Sequence, residues 1–204
     1  MRIIGSSTAD VRFPTSVTLA GSDATNHAPD YSAAYVTLHT DDGPDGHGHT
    51  FTIGRGNELC VAAIEVLAAA LVGEELQDPV DDVARLPRLI TSDSQLRWLG
   101  PEKGVVHLAT AALVNAVWDL AARRSGKPLW KFLVDLSPRQ LTAAVDWRYL
   151  TDVLDRDEAT ELLTSRRAGL AARERHLRTH GHPAYTTEPG WLGYDDDKMV
   201  RLLH

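Results

Sequence analysis

The chain reads as an α+β protein, an antiparallel β-meander followed by helices. Three observations lead there. Residues 31–40 alternate apolar and polar side chains and run into dense turn chemistry and a second strand-like run. Two later segments repeat apolar residues at helical spacing. The composition is globular: of 204 residues 43% are hydrophobic and 24% charged, which fits neither a disordered nor a fibrous chain.

In the first segment Ile3-Ile4 and Val11-Arg12-Phe13 read as short strands flanking a Ser/Thr-rich bend, closed by Pro14. A polar loop from Leu19 to Asp30 follows, with Gly21, Ser22, Asp23, Asn26, His27 and Pro29. From Tyr31 to Thr40, the residues Tyr35, Thr37 and His39 alternate with Val36 and Leu38, the period of a half-buried strand. Asp41-Asp-Gly-Pro-Asp-Gly is turn chemistry, and His47 to Gly54 is the returning strand.

Helices come next. Leu59, Ala62, Ala63, Val66, Leu67 and Ala70 predict the apolar face of a helix from Glu58 to Leu71, stopped by Gly73. A weaker helix runs from Pro79 to Ile90, with Pro79 suited to its first turn. The third, Glu102 to Arg124, is apolar nearly all round, which predicts burial on several sides; Gly126 and Pro128 mark its end. Farther on, Leu141 to Leu150 reads as a strand, Asp155 to His180 as one charged helix, and Gly181 to Tyr194 as an ordered loop. Asp195 caps a last helix, with Asp196 and Asp197 at its positive end. The chain stops in the third turn of that amphipathic pattern, as a truncated domain would.

Lys and Arg number 21 against 28 Asp and Glu, a net charge of −7, which argues against a nucleic-acid partner. A single cysteine, Cys60, excludes an intramolecular disulfide and a Cys-based zinc site and suits a reducing compartment. The longest apolar stretch, Val105 to Ala122, is interrupted by His107, Asn115 and Asp119, whereas a membrane span needs ~20 mostly apolar residues. With no signal-like N-terminus, a cytoplasmic protein with no membrane partner is expected.

Chemical signals are sparse. His47 and His49 share one strand face, but no carboxylate or cysteine at ligand spacing accompanies them; His176, His180 and His182 read as a solvated helix end. Gly54-Arg-Gly56 lies between a strand and a helix, where backbone N–H groups can meet an anion, but it lacks the phosphate-loop pattern. A tight turn that carries a loop-borne substrate contact and a purely structural turn are the two readings there. Cys60 reads as a small buried hydrophobe. The pairs Asp41-Asp42 and Asp81-Asp82 sit in turns and helix starts, where structural roles suffice. Spacing alone yields no catalytic and no metal-ligating set.

The run Ala109-Thr-Ala-Ala-Leu-Val-Asn-Ala-Val-Trp-Asp-Leu-Ala-Ala-Arg, followed after four residues by Pro128-Leu-Trp-Lys-Phe-Leu, resembles the signature of the mandelate racemase/muconate lactonizing enzyme branch of the enolase superfamily. It departs from that pattern at Val114 and Val134, both packing positions. The resemblance is closer to the L-fuconate dehydratases and covers nearly the whole chain. Arg12-Phe-Pro-Thr-Ser, Gly21-Ser-Asp-Ala, Asp30-Tyr-Ser-Ala-Ala-Tyr-Val, Thr50-Phe-Thr-Ile-Gly-Arg-Gly-Asn-Glu, the run from Gln95 to Ala112, Arg148-Tyr-Leu-Thr-Asp and Pro183-Ala-Tyr-Thr-Thr carry it.

That resemblance implies a capping domain over 1–135 and, over 136–204, the start of a truncated (β/α) barrel. Leu141 to Leu150 would be its first strand, Asp155 to His180 an inserted helix and Asp195 onward its first helix. A barrel takes ~250 residues, so only its beginning fits. The implied activity is Mg²⁺-dependent dehydration of L-fuconate to 2-keto-3-deoxy-L-fuconate in sugar-acid catabolism, by a homo-oligomer when full length. In such enzymes a lysine of a Lys-x-Lys pair removes the α-proton, Mg²⁺ stabilises the enediolate and a histidine assists loss of the 3-hydroxyl. The lysines here are Lys103, Lys127, Lys131 and Lys198, and none forms that pair. Catalytic and metal residues are therefore expected to be none, and the chain alone inactive. The resemblance places substrate contacts at Gly21, Ser22, Asp23 and Tyr31: a carboxylate to accept sugar hydroxyls, a backbone open to close approach, and an aromatic face with one hydroxyl. The alternatives are a dehydratase or epimerase of another sugar acid, and a non-catalytic fragment or interaction module.

Overall fold

The computed structural model describes residues 1–91, 93–99 and 104–203. Strands β1 (Ile3–Arg12), β2 (Ser32–Thr40) and β3 (Gly46–Thr52) form the expected antiparallel meander, in the order β1-β2-β3. Ser7 lies opposite Thr37, and Thr37 opposite His47. The Ser/Thr-rich stretch of β1 is strand, not a bend; its register slips between Ile3 and Gly5 and then holds to Arg12. Its polar side chains are usable in a strand because the first helix, α1 (Asn57–Ala68), supplies partners. Thr8 donates to Glu65 at 2.8 Å, and Asn57 donates to Asp10 at 2.6 Å.

The rotation of α1 differs from the predicted one. Cys60, Ile64, Leu67 and Ala68 face the core, whereas Leu59 and Val66 are 56% and 58% exposed. Ala62 and Ala70 are exposed with them. The helix is apolar most of the way round, so hydrophobicity does not select its phase. Asn57 does: its fully buried amide accepts from Thr52 at 2.8 Å and donates to Asp10, which locks the first turn onto β1 and β3.

Helix α2 (Pro79–Thr91) forms as expected. Helix α3 (Gly104–Arg124) is the central element, packed on β3, β2, α1 and α2; the predicted starts Glu102 and Lys103 lie outside the described residues. Among the described residues it is the one helix long and apolar enough to cross a membrane. Here it is a core helix, with Ala109, Ala112, Leu113, Ala116, Val117 and Leu120 buried. Small residues on both sides bring it close to β3. A Cβ on Gly48 would overlap the Ala112 carbonyl oxygen and sit 2.6 Å from Ala116 N, and one on Gly46 would sit 2.7 Å from Leu120 Cβ. Polar side chains of α3 also finish β3: Asp119 accepts from His47 N–H at 2.9 Å, and Asn115 donates to the His49 carbonyl at 3.3 Å. Gly126, at φ 63°, ends α3 by turning the chain so that Lys127 N–H reaches the Ala122 carbonyl.

The second half departs further from expectation. Two short helices follow, α4 (Leu129–Asp135) and α5 (Pro138–Ala143), and the predicted strand from Leu141 to Leu150 is the end of α5 followed by turns. Ser137 and Gln140 form a reciprocal capping box with Pro138 in the first turn, and that local signal outweighs the β-branched and aromatic content downstream. No described strand lies beside these residues, and side chains take up part of their backbone: Trp147 Nε1 donates to the Thr142 carbonyl and Arg88 to the Ala143 carbonyl, both at 2.9 Å. The predicted single helix from Asp155 to His180 is two, α6 (Arg156–Ser165) and α7 (Leu170–His180). Gly169 at φ 78° breaks it, and Asp155 with Glu158 forms the capping box that starts α6. Helix α8 (Asp196–Leu203) begins as expected, with Asp195 accepting from Lys198 N–H at 2.7 Å.

Candidate functional site

The loop between β1 and β2 is tied at its neck. The Thr15 hydroxyl donates to the Pro29 carbonyl at 2.7 Å and accepts from Tyr31 N–H at 3.0 Å. Asp30 accepts from the Ser16 hydroxyl at 2.6 Å and from Ser16 N–H at 3.2 Å, and these bonds hold its carboxyl below the usual range. A short 3₁₀ turn over Thr15–Val17 then leads to the tip.

Gly21 and Tyr31 interlock. Gly21 has φ 74°, and a side chain there would run into the Tyr31 ring. The Tyr31 hydroxyl donates to the Gly21 carbonyl at 2.7 Å, and its ring meets Phe51 edge-on at 5.1 Å. Ser22 is 2% exposed and fully occupied: its hydroxyl donates to the Leu19 carbonyl at 2.6 Å and accepts from Leu192 N–H at 2.9 Å. Asp23 is exposed at the tip. Its Oδ1 accepts from Asn26 N–H at 2.6 Å and Thr25 N–H at 2.7 Å, and those amides lower its pKa. At neutral pH it is a carboxylate fixed in its own turn, with Oδ2 facing Asn26 Nδ2 at 3.4 Å. Gly21, Ser22 and Tyr31 thus come together, while Asp23 turns one oxygen back into the loop. Sequence reasoning missed Leu192 and Gly193, which reach this loop from 170 residues away; no local signal announces a pairing of that span.

The other candidates lie in local structure. Asn57 N–H donates to the Gly54 carbonyl and Leu59 N–H to the Gly56 carbonyl, so Gly54-Arg-Gly56 is a tight turn. The N-terminus of α1 is occupied by Glu58, whose carboxyl is lowered by the backbone amides there and by Arg12. Cys60 is buried, and burial raises its thiol pKa. On the outer face of the sheet His47 faces Thr37 at 3.2 Å and His49 stacks on Tyr35 at 5.1 Å. Also on that face, the Ser7 hydroxyl meets His39 Nε2 at 2.9 Å and His39 Nδ1 meets Asp45 at 2.8 Å. This relay has a nucleophile–base–carboxylate order, but it lies open on a solvated sheet face, where the water-excluded donors that make such a relay productive cannot act. It ties β1, β2 and the following turn together. Among the described residues no three His, Cys, Asp or Glu side chains converge as a metal cage. The described residues therefore do not fit Mg²⁺.

The chain matches the family described as Mandelate racemase / muconate lactonizing enzyme, N-terminal domain, over residues 12–133. It is 54% identical over 203 residues to mitochondrial enolase superfamily member 1 of Bos taurus, covering 98% of this chain and 46% of that protein. It is 51% identical over 202 residues to L-galactonate dehydratase of Hypocrea jecorina, covering 98% of this chain and 45% of that protein. The crystal structure of human mitochondrial enolase superfamily member 1 superposes with a TM-score of 0.93 at 52% identity, over 98% of this chain and 46% of that one. A racemase from Streptomyces coelicolor A3(2) with bound magnesium gives a TM-score of 0.56 at 25% identity, over 67% of this chain and 36% of that one. The chain therefore spans about half the length of the curated relatives it matches.

Proposed function

Because this chain belongs to the mandelate racemase/muconate lactonizing enzyme family of the enolase superfamily and folds as its N-terminal capping domain, we propose that it is the specificity half of a magnesium-dependent sugar-acid dehydratase acting on L-fuconate. The reading assigns residues 1–135 to the cap and 136–204 to the start of a barrel. The remainder of that barrel carries the lysine pair, the histidine and the magnesium ligands. Gly21, Asp23 and Tyr31 face the sugar acid, and the enzyme works in the cytoplasm as a homo-oligomer. The observation that carries it is the β1–β2 loop: its neck, its interlocked Gly21–Tyr31 pair and its Asp23 carboxylate are held by the loop's own hydrogen bonds. Such preorganisation is what a polar recognition site requires, and a site built on hydroxyl contacts rejects analogues lacking the hydroxyl. The name of the Hypocrea jecorina relative supports a sugar-acid substrate, and the magnesium of the Streptomyces coelicolor racemase supports the metal.

The test mixes the chain with the separately produced C-terminal part of the Hypocrea jecorina L-galactonate dehydratase, in Mg²⁺, with L-fuconate and L-galactonate as substrates. Alone, the chain is expected to turn over neither, since each missing catalytic group is worth about 10² or more in rate. The mixture is expected to be active, with L-fuconate preferred. Equal activity from the C-terminal part without this chain would overturn the cap assignment. Loss of the preference for L-fuconate would leave a dehydratase or epimerase of another sugar acid.

A further inference from the structure

Residues 19–23 and 188–194 meet across almost the whole length of the chain. Leu192 N–H donates to the Ser22 hydroxyl at 2.9 Å, and the hydroxyl proton goes on to the Leu19 carbonyl at 2.6 Å. Ser22 N–H donates to the same carbonyl at 3.1 Å. Among the described residues Leu19 is the one non-glycine residue at positive φ, 55°, a conformation that persists only where the surroundings over-determine it. Here they do so from two sides. Ser22 holds the carbonyl, and Gly193, itself at φ 79°, lies against the side chain: a Cβ on Gly193 would stand 2.8 Å from Leu19 Cδ1. With Ser22 98% buried, water is not free to take over either of its bonds.

The segment that makes this contact is shaped and partly open. The Trp191 and Tyr194 rings lie 6.1 Å apart and tilted by 50°. Trp191 Nε1 donates to Thr187 Oγ1 and the Tyr194 hydroxyl donates to Glu188 Oε1, both at 3.3 Å. Local bonds fix the rings, and Lys198 Nζ lies over the Tyr194 ring at 3.2 Å, so Trp191, next to the Leu192 that bonds the β1–β2 loop, offers the aromatic face, with Thr187 and Glu188 as the nearby oxygen acceptors. That combination suits a polyhydroxy acid, whose C–H groups pack on aromatic faces and whose hydroxyls donate to oxygens.

We propose that residues 191–194 form a second wall of the sugar-acid site, set against the 19–23 loop, and that Ser22 is the positioning residue holding the two walls in register. The proposal rests on the sugar-acid reading. It makes Ser22 act through the walls, because its hydroxyl is already spent in both directions, and it adds Trp191 to the residues that touch substrate.

Hydrogen exchange on the 204-residue chain tests it from both ends, because coupling between two sites is reciprocal. Ser22→Ala is expected to speed exchange in 188–194 about fivefold or more, the local opening that follows loss of one buried hydrogen bond. Gly193→Ala is expected to do the same in 19–22, although the substitution lies on the other segment. In both variants exchange in α3 stays as in the parent chain, which separates the effect from general destabilisation. Faster exchange confined to the substituted segment, in either variant, would overturn the coupling. A third measurement adds L-fuconate and Mg²⁺ to the parent chain mixed with the separately produced C-terminal part of the Hypocrea jecorina L-galactonate dehydratase. Slowed exchange in both segments supports the wall. Slowing in 19–23 alone overturns the wall and leaves the sugar-acid reading standing; slowing in neither overturns the reading on which the wall rests.

Discussion

Replacing Gly48 by alanine should be among the most damaging single-methyl additions to this chain. Gly48 faces α3, and the new Cβ would overlap the Ala112 carbonyl oxygen and sit 2.6 Å from Ala116 N. Ordinary heavy-atom contact is about 3.5 Å, so strand and helix must part by more than about 1 Å. The obstructing atoms are main chain, so no rotamer change gives relief. A gap of that size forfeits about a quarter to a half of the dispersion well at each affected contact, and Ala109, Ala112, Leu113 and Ala116 all lie in this part of α3. Overpacking of this kind costs about 1–3 kcal/mol, and the rigidity on both sides puts Gly48→Ala at the upper end. At about 2–4 °C per kcal/mol for a chain of this size, Tm falls by about 6–12 °C. Gly5→Ala is the control: nothing lies within 4 Å of its Cβ position, and its φ is not positive, so it should stay within about 0.5 kcal/mol of the parent. Urea unfolding with a common slope measures both. A Gly48→Ala midpoint equal to that of Gly5→Ala would refute the close approach of β3 and α3.

Other expectations follow from the charged groups. Asp82→Ala should cost about 3–5 kcal/mol, because its 2%-exposed carboxylate joins Arg124, 12% exposed, at 2.6 Å and Arg85 at 3.1 Å; a loss below about 1 kcal/mol by urea unfolding would contradict that burial. Arg2→Ala, which removes an ion pair with exposures of 53% and 76%, should change stability by less than about 0.5 kcal/mol in the same assay. Asp10 is held down to about 2 from an ordinary 3.8, first by Arg12 and then by Asn57. A depressed carboxyl stabilises the fold above its unfolded value and loses that contribution as pH falls through the folded one. Stability should therefore drop as pH falls from about 4 to about 2, and Asp10→Asn should flatten that part of the curve; identical acid-unfolding curves would reject the Asp10–Arg12–Asn57 cluster.

What the sequence made legible was local. The meander could be read because alternation and turn residues are decided within a few positions, and α2 and α3 because helical periodicity is too. Position in space was harder. The phase of α1 depends on a buried Asn57 bonded to Asp10 and Thr52 on two different strands, and no spacing rule contains that. Residues 141–150 look like a strand because Val145, Trp147, Tyr149 and Leu150 favour one, but a strand needs a neighbour, and Ser137 with Gln140 had already committed the chain to a helix. The break at Gly169 was written in the sequence and was outweighed by the charged periodicity around it. Of the site, the resemblance pointed to Gly21 and Tyr31, which the structure interlocks. It marked Ser22 without its partner, because a bond spanning 170 residues leaves no trace in local pattern.

The side chains that α3 lends to β3 have a consequence for the chain in company. The outward main-chain groups of an edge strand are a ready template for a strand from another molecule, the first step towards runaway sheet growth. On β3 two of these groups are spoken for, His47 N–H by Asp119 and the His49 carbonyl by Asn115. Asp119 is itself steadied by Arg123 at 2.7 Å. A foreign strand would have to displace an aspartate and an asparagine anchored on the central helix before gaining its first ladder bonds. The helix that fills the core thus also works as a stopper, discouraging polymerisation along that edge without a proline, a bulge or an extra lysine on the strand itself.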